Sequence, residues 1–388
     1  MTNGNLDFFN RHDKKDVLTI EKSRKVIFDT ISKINLNLNN LTILTEAATG
    51  NWIYTPIIAA FSGASKVICI TKNSKYGSAH NIKKNFDRIS KYYNLSEKVF
   101  VCEKLTNELI SSADIVTNSG FLRPIDKKFV CTMKKTGVIS LMWEPWEFRT
   151  DDLDLVQCWN KGISVLGVNE SNIFLNVLSY VETMIIKIFK KYKIKLKNKK
   201  IILVIENKFG IQIFNALKSQ GANCYCITAS MKLELKKLGA TIIGSNFENK
   251  NINSFLEKSD IILVDSFPIK KNIIGINEGI EISTLKKLCP NVKIFTFFGK
   301  IDSVNLNKFG IRYYPKIQPK FGHLGWTADV LGSKPTIEFN SLGLKVGELL
   351  ARSRIAKMSA RQAELNALKS GFCLDFSETQ RKNVLNNS

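Results

Sequence analysis

The stretch SDIILVDSFPIKKNIIGINEGIEISTLKKLCPNVKIFTFFGKIDSVNL, residues 259–306, decides the fold. It contains a β-branched strand, a turn with a proline, a helical segment, a second apolar strand and a short loop, in that order. Short apolar strands that alternate with helices are typical of a parallel sheet covered on both faces. The stretch therefore predicts half of an α/β domain with a parallel sheet.

The same alternation recurs along the chain and predicts two α/β domains. Candidate strands lie at residues 41–45, 66–71, 98–102, 114–117, 137–142 and 162–168 in the first half, and at residues 201–205, 223–227, 241–244, 260–264 and 293–297 in the second. The Lys-rich segment 193–200 marks the hinge. One domain is predicted to comprise residues 1–172 plus 335–388, and the other residues 173–334.

Helical patterns complete this picture. A long helix with apolar periodicity is predicted from Ser171 to Lys191, with Asn169 or Ser171 as its N-cap. After Pro335 the chain becomes helical again. A helix that follows the second domain commonly packs on the first, which is why the first domain is expected to be discontinuous.

Composition limits the classes of partner. The 388 residues are 44% hydrophobic, and the formal net charge is +23. Because the lysines are spread along the whole chain, they predict a solvated basic surface that attracts phosphate-bearing ligands, and no specific nucleic-acid site. The eight cysteines are scattered and only three histidines occur, so no metal site is expected.

No targeting or membrane segment is expected. The amino terminus, residues 1–16, is polar, and no run of about 18 apolar residues occurs. These features predict a cytoplasmic protein that binds a small-molecule substrate.

Three segments resemble the D-2-hydroxyacid dehydrogenase family. They are residues 259–306, the segment TDDLDLVQCWNKGISVLGVNESN that precedes the long helix, and the FGHLGWT segment at 321–327. The resemblance implies two Rossmann-like or flavodoxin-like domains with parallel sheets, joined by crossover helices. It also implies an NAD(P)-dependent oxidoreductase that pairs as a homodimer and acts on a small polar metabolite in the interdomain cleft.

The resemblance implies a catalytic acid-base residue as well. His323 lies between two glycines in the segment where the family has its catalytic His, and His exchanges protons near neutral pH. The position that matches the family's catalytic Arg is Phe298, followed by Gly299. No matching Glu is found. The alternative for His323 is a structural role, in which the side chain caps a loop.

The cofactor loop departs from the family pattern. Where G-x-G-x-x-G belongs, the chain has residues 205–210, IENKFG, in which only the last glycine remains. The acidic residue that normally holds a ribose hydroxyl is replaced by the neutral segment 228–230, TAS. If NAD or NADP binds here, the expected contacts are Asn207, Lys208, Gly210, Thr228 and Ser230.

The first domain offers a separate candidate site. The segment WEPWEFR, residues 143–149, follows a buried strand at the edge where open α/β sheets bind ligands. Stacking is expected of the two tryptophans and hydrogen bonding of the two glutamates, and a polar turn at a helix N-terminus is suited to an anion. The predicted substrate-binding residues are Thr49, Gly50, Asn51, Trp143, Glu144, Trp146 and Glu147. A packed loop with aromatic anchors is the alternative for 143–149.

Two other functions fit the same layout. The first half has the strand-turn-helix-strand arrangement used for nucleosides, so a transferase that uses an S-adenosylmethionine-type cofactor near Gly50, Asn51 and Trp143 is one alternative. A non-catalytic ligand-binding protein that has kept a degenerate Rossmann fold is the other, and the missing glycines, Arg and Glu are what it predicts.

Overall fold

The computed structural model describes residues 14–74, 76–245, 252–257, 259–326 and 331–386, with side chains from residue 20 onward. The chain divides into two compact units. Unit 1 comprises Met1–Val177 and Gly332–Ser388, and unit 2 comprises Leu178–Leu331. Among the helices in the described ranges, none is both long and apolar enough to cross a membrane.

The first segment of unit 1 alternates strands and helices. Its elements are α1 (Lys14–Lys33), β1 (Thr42–Glu46), α2 (Tyr54–Phe61), β2 (Lys66–Ile70), α3 (Ala79–Tyr92), β3 (Val99–Cys102), α4 (Asn107–Ser112), β4 (Ile115–Thr117), α5 (Lys127–Thr132), β5 (Val138–Ser140), α6 (Leu155–Lys161) and β6 (Ser164–Val168).

Unit 2 repeats the alternation, and the chain then returns to unit 1. Unit 2 contains α7 (Tyr180–Lys191), β7 (Lys200–Ile205), α8 (Lys208–Ser219), β8 (Asn223–Ile227), α9 (Lys232–Lys237), β9 (Thr241–Gly244), α10 (Asn253–Leu256), β10 (Ile261–Asp265), β11 (Ile274–Gly275), β12 (Ile280–Glu281), α11 (Ile282–Leu288), β13 (Lys293–Phe298), α12 (Ser303–Lys308) and β14 (Arg312–Tyr314). The last segment contains α13 (Ser333–Ile355), α14 (Ala360–Leu368), β15 (Cys373–Leu374) and α15 (Glu378–Asn386).

Unit 1 has a seven-stranded sheet in the order β15-β6-β5-β4-β1-β2-β3. Strands β1 to β6 pair in parallel, and β15 adds an antiparallel edge. The strand order reverses between β1 and β4, and open α/β sheets bind ligands at the carboxyl ends of the strands beside such a switch point.

Helix α13 covers the middle of this sheet. It is buried along most of its length and packs against β4, β5 and β6. Two of its glycines explain the close approach, because a Cβ atom on Gly343 would lie 2.5 Å from the Met142 sulfur and one on Gly347 would lie 2.5 Å from Ile115 Cγ2. Helix α13 is thus part of the core of unit 1.

Unit 2 has a six-stranded sheet in the order β14-β13-β10-β7-β8-β9, with every pair parallel. In chain order this is 3-2-1-4-5-6, the strand order of dinucleotide-binding Rossmann domains. Its switch point lies between β7 and β10. Both sheets confirm the predicted fold class of parallel α/β units.

The predicted start of the long helix is wrong. Helix α7 begins at Tyr180 after a short 3-10 turn, and residues 171–176 are not helical. The physical reason is local competition from asparagine side chains. The side-chain oxygens (Oδ1) of Asn169 and Asn172 accept the backbone N–H groups of the residues two positions later. The side-chain amides of both residues donate to the Gly371 carbonyl at 2.9 Å.

Candidate functional site

A groove of about 590 Å³ lies at the carboxyl end of β1 in unit 1. It brings together the predicted turn at Thr49, Gly50 and Asn51 with a loop after β2 and one face of α3. Its polar side chains are those of Thr49, Asn51, Tyr54, Tyr76, Asn81, Asn85 and Arg88. Four isoleucines, Ile20, Ile53, Ile82 and Ile89, supply apolar walls.

Local geometry explains how two loops meet there. Gly50 has a φ of +62°, which turns the chain directly into the following 3-10 helix. The loop after β2 closes through two hydrogen bonds between Ser74 and Gly77, at 3.0 and 3.2 Å. A Cβ atom on Gly77 would lie 2.9 Å from Thr49 Cγ2, so the glycine allows this loop to contact the turn.

Helix α3 supplies the third wall. The Ser78 hydroxyl accepts the Asn81 N–H at 3.2 Å and caps the helix. The spacing of Asn81, Asn85 and Arg88 places all three on one helical face. Among the described residues that line the groove, Arg88 has the only charged side chain, and no carboxylate is present. The lining therefore suits an anionic group such as a phosphate or carboxylate.

A second cluster follows β4 and β5, and here Trp143 stacks on the protein's own arginines. The guanidinium of Arg123 lies 4.1 Å from the Trp143 ring centroid, and that of Arg149 lies 5.4 Å from it. Asp152 pairs with both arginines, with its Oδ2 atom 3.4 Å from Arg123 Nη1 and 2.7 Å from Arg149 Nη2. Burial lowers the pKa of Arg123 to about 10. Trp143, predicted to stack on a ligand, has its ring in these cation-π contacts.

Three glutamates pack together at the ends of β5 and β6. Glu144 is fully buried and accepts the Trp146 indole N–H at 2.7 Å and the Glu170 backbone N–H at 3.2 Å. The side chains of Glu147 and Glu170 hydrogen-bond to each other. Burial raises the pKa of Glu147 to about 7 and raises the pKa of Glu170 well above its usual range. Glu147 and Glu170 therefore share a proton near neutral pH.

These three glutamates do not form a metal centre. Among the described residues, no group of three or more His, Cys, Asp or Glu side chains is arranged to hold a metal ion. The predicted residues Glu144, Trp146 and Glu147 lie together. Glu144 accepts hydrogen bonds from the Trp146 indole and from the Glu147 backbone N–H.

The sequence analysis missed three residues at this edge: Glu46, Arg123 and Glu170. Glu46 ends β1, and its carboxyl group accepts the Phe121 N–H at 2.7 Å, which ties the end of β1 to the loop after β4. Burial raises the pKa of Glu46. Each of the three follows or ends a predicted strand, so the rule that ligand-binding residues follow parallel strands would have found them.

In unit 2, Glu206 directly follows β7, and its side chain contacts the loop that follows β8. Its two carboxylate oxygens accept the backbone N–H groups of Ala229 and Ser230, at 2.9 and 3.0 Å. Glu206 is 6% exposed. Thr228, in the same loop, is fully buried, and its hydroxyl accepts the Met231 N–H at 2.9 Å. Groups of Thr228 and Ser230, both predicted to contact the cofactor, are therefore engaged within the protein.

The N-terminus of α8 is likewise satisfied by side chains. Asn207 caps the helix through its carbonyl oxygen, which accepts the Phe209 N–H at 2.9 Å, and its amide donates to Asp265 at 3.2 Å and to the Phe267 carbonyl at 3.1 Å. Burial raises the pKa of Asp265 well above its usual range. Gly210 packs closely, since a Cβ atom there would lie 2.2 Å from Ile205 Cγ2.

Aromatic side chains fill the neighbouring edge. Phe298, at the position of the family's catalytic Arg, stacks on Phe267 with ring centroids 4.4 Å apart, and both are almost fully buried. Phe209 and Phe321 pack against this pair. As these side chains stand, the residues do not fit a dinucleotide pyrophosphate at α8, because protein groups hold the donors that would bind it.

The remaining predicted residues lie on the surface. Lys208 is exposed at the start of α8. His323 is exposed in the loop after β14, where its backbone N–H donates to the Lys320 carbonyl at 3.1 Å. Its role as an acid-base residue stays a prediction.

Comparisons with known proteins identify the fold. No protein-family model matches the chain, and no curated protein matches it by sequence. The chain is similar to the dipicolinate synthase A chain from Bacillus subtilis, with a TM-score of 0.51 and 12% identity over 84% of this chain and 100% of that one.

Structures of the dehydrogenase type are also similar. A putative D-3-phosphoglycerate dehydrogenase oxidoreductase from Ralstonia solanacearum matches with a TM-score of 0.49 and 12% identity, covering 85% of this chain and 100% of that one. The pyruvate reductase of Chlamydomonas reinhardtii matches with a TM-score of 0.48 and 13% identity, covering 82% and 98%. The resemblance to D-2-hydroxyacid dehydrogenase-like proteins is thus confirmed as a resemblance of fold.

Proposed function

We propose that the protein binds a small metabolite carrying a phosphate or carboxylate group in the groove of unit 1. The observation that supports this most directly is the composition of the groove, in which hydroxyl, amide and guanidinium groups converge without a carboxylate among the described lining residues. Its position also supports the proposal, because the groove adjoins the loops after β1 and β2, at the carboxyl edge of the sheet. The net charge of +23 favours the approach of anions.

The role proposed for Arg88 is to bind the anionic group. Arg88 is exposed on α3, one turn beyond Asn85 and two beyond Asn81. A guanidinium group donates two parallel hydrogen bonds to a phosphate or carboxylate, and the neighbouring amides supply further donors. Thr49 then faces hydroxyl or carbonyl groups on the rest of the ligand, while the Asn51 side-chain amide donates to the Gly332 carbonyl at 3.1 Å.

The second candidate function is the one that the sequence resemblance implies, an NAD(P)-dependent oxidoreductase that acts on this metabolite. Two features of unit 2 favour it: the 3-2-1-4-5-6 strand order and the close packing of Gly210 on Ile205, which is the role of the third glycine in a dinucleotide loop. The similar structures that are named as dehydrogenases and reductases are in line with it.

Thermal unfolding of the whole chain against a ligand panel tests both candidates. The panel contains inorganic phosphate, sugar phosphates, nucleoside monophosphates, 2-hydroxy and 2-keto acids, NAD, NADH, NADP, NADPH, S-adenosylmethionine and S-adenosylhomocysteine. A ligand at 100 times its Kd stabilises the native state by about 2.7 kcal/mol, which shifts the Tm by several degrees. A shift with a phosphate or acid alone supports the groove, and one with a nicotinamide nucleotide supports the oxidoreductase.

A matched pair of variants assigns any shift to the groove. Arg88→Gln removes the guanidinium. We expect the affinity for the stabilising anion to fall by about 10- to 100-fold, which corresponds to the free energy of a hydrogen bond to a charged group. Lys83→Gln removes the same charge from an exposed position on α3 that does not line the groove. If both variants weaken binding equally, the anion is held by net charge and the groove assignment is wrong.

A further inference from the structure

Glu206 holds an unusual place for an acidic residue. It directly follows β7, and its carboxylate crosses to the loop after β8, where it accepts two backbone N–H groups at 2.9 and 3.0 Å. In dinucleotide-binding Rossmann domains, the turn after the first strand is glycine-rich so that the pyrophosphate can approach, and the end of the second strand contacts the ribose. Glu206 therefore spans the two places that a dinucleotide would contact.

The chemistry of the contact resembles that of a bound anion. Backbone N–H groups that converge on an anion form charge-assisted hydrogen bonds, which are stronger than neutral ones. Ala229 and Ser230 are exposed residues, so their N–H groups would otherwise bond to water or a ligand. The Glu206 side chain is 6% exposed and thus fills the space in front of them.

The other acid at the switch point does not compete in the same way. Asp265 lies at the end of β10, and burial raises its pKa, which disfavours its charged form. It contacts the Asn207 amide at 3.2 Å, within the cap of α8. A phosphate group at this edge would accordingly meet the carboxylate of Glu206 first, both as a competitor for donors and as a like charge.

We propose that the Glu206 carboxylate occupies the place in unit 2 where a dinucleotide would bind. NAD or NADP has to displace this carboxylate in order to bind there. The proposal does not rest on the groove of unit 1. It makes Glu206 the residue that sets the affinity of unit 2 for dinucleotides. The wild-type chain then binds them weakly or not measurably, and removal of the carboxylate strengthens binding.

Calorimetric titration of NAD and of NADP into the purified 388-residue chain tests this. Glu206→Ala removes the carboxylate, and we expect the affinity for at least one dinucleotide to rise by about tenfold or more relative to wild type. Glu234→Ala is the matched control, because Glu234 is an exposed acid on the next helix and its removal changes the net charge equally. We expect the control to bind as wild type does.

Hydrogen exchange provides a readout that does not depend on binding. In the wild type the Ala229 and Ser230 amides should exchange slowly, and in Glu206→Ala they should exchange at least about tenfold faster without ligand. Dinucleotide added to the variant should restore protection of these amides. Glu206→Gln, which keeps one acceptor oxygen, replaces Glu206→Ala if the latter does not unfold cooperatively.

Three results would overturn the proposal. One is wild-type affinity within twofold of that of the variant. Another is the absence of dinucleotide binding in a variant that unfolds cooperatively. The third is fast exchange of both amides in the wild type. Because none of these results involves Arg88, a failure here is distinguishable from a failure of the groove in unit 1.

Discussion

The shared proton of Glu147 and Glu170 predicts that unit 1 loses stability as the pH rises. Burial raises the pKa of Glu147 from 4.5 to about 7, so the native state holds this proton more tightly than the unfolded chain does. The stabilisation is complete below about pH 4.5 and is lost as the pH rises through about 7. This difference in the pKa of Glu147 between the native and the unfolded state lowers the unfolding free energy by about 3 kcal/mol between pH 5 and pH 8.

Glu147→Gln isolates this contribution. Gln carries no charge at any of these pH values, while its amide can donate to the Glu170 carboxylate. We expect the variant to lose about 3 kcal/mol less than wild type between pH 5 and pH 8 and to be the more stable protein at pH 8. The Glu147 charge also raises the pKa of Glu170, so the variant loses that part of the pH dependence as well. Buried acids outside the pair, such as Glu46 and Glu364, remain in both proteins and cancel in the comparison.

Urea unfolding at pH 5, 6, 7 and 8, followed by tryptophan fluorescence, measures the effect. Four of the five tryptophans lie in unit 1, so the signal reports mainly on that unit. Glu97→Gln, at an exposed position in the same unit, should keep the wild-type pH dependence. If Glu147→Gln also kept it, or if wild-type stability rose from pH 5 to pH 8 relative to this variant, the reasoning about the shared proton would be refuted.

Two further substitutions test the packing inside each unit, one in unit 2 and one in unit 1. Phe298→Arg restores the residue type that the dehydrogenase resemblance calls for, but Phe298 is 2% exposed and stacks on Phe267. Burying an unpaired charge there should cost about 3 kcal/mol or more in urea unfolding followed by hydrogen exchange of the β13 amides, and wild-type stability would contradict the buried stack. Gly347→Ala places a Cβ atom 2.5 Å from Ile115 Cγ2 and should lower the Tm of unit 1 through overpacking worth about 1 to 3 kcal/mol. An unchanged Tm would show that α13 can move away from β4.

The fold was predictable because strand and helix periodicities are local properties of a sequence. Residues 259–306 contain β10, α11 and β13 in the predicted order. The start of α7 was not predictable in the same way, because Asn169 and Asn172 make tertiary hydrogen bonds to Gly371, about 200 residues away in the sequence. Periodicity reports which face of an element is apolar, and it contains no information about distant partners of this kind.

The candidate sites show the same division between local and tertiary information. The sequence indicated that Glu206 stands where a glycine-rich loop belongs. It could not indicate that the carboxylate would find two N–H donors beyond the next strand. Likewise, the cation-π contact of Trp143 depends on Arg123, which follows a different strand. Each is a contact between the ends of separate strands, and only the strand order brings those ends together.

The two units share a strand order, yet their carboxyl edges differ in chemistry. In unit 2, Glu206 and Asn207 hold backbone donors that a dinucleotide would use, and phenylalanines fill the adjoining edge. In unit 1, the edge retains a groove with Arg88 and several amides. A shared backbone topology fixes where a ligand can bind, whereas the side chains at the strand ends decide whether that place is open. The two proposals concern these two edges: unit 1 should bind an anion in the groove beside Arg88, and unit 2 should bind a dinucleotide only at the expense of the contacts made by Glu206.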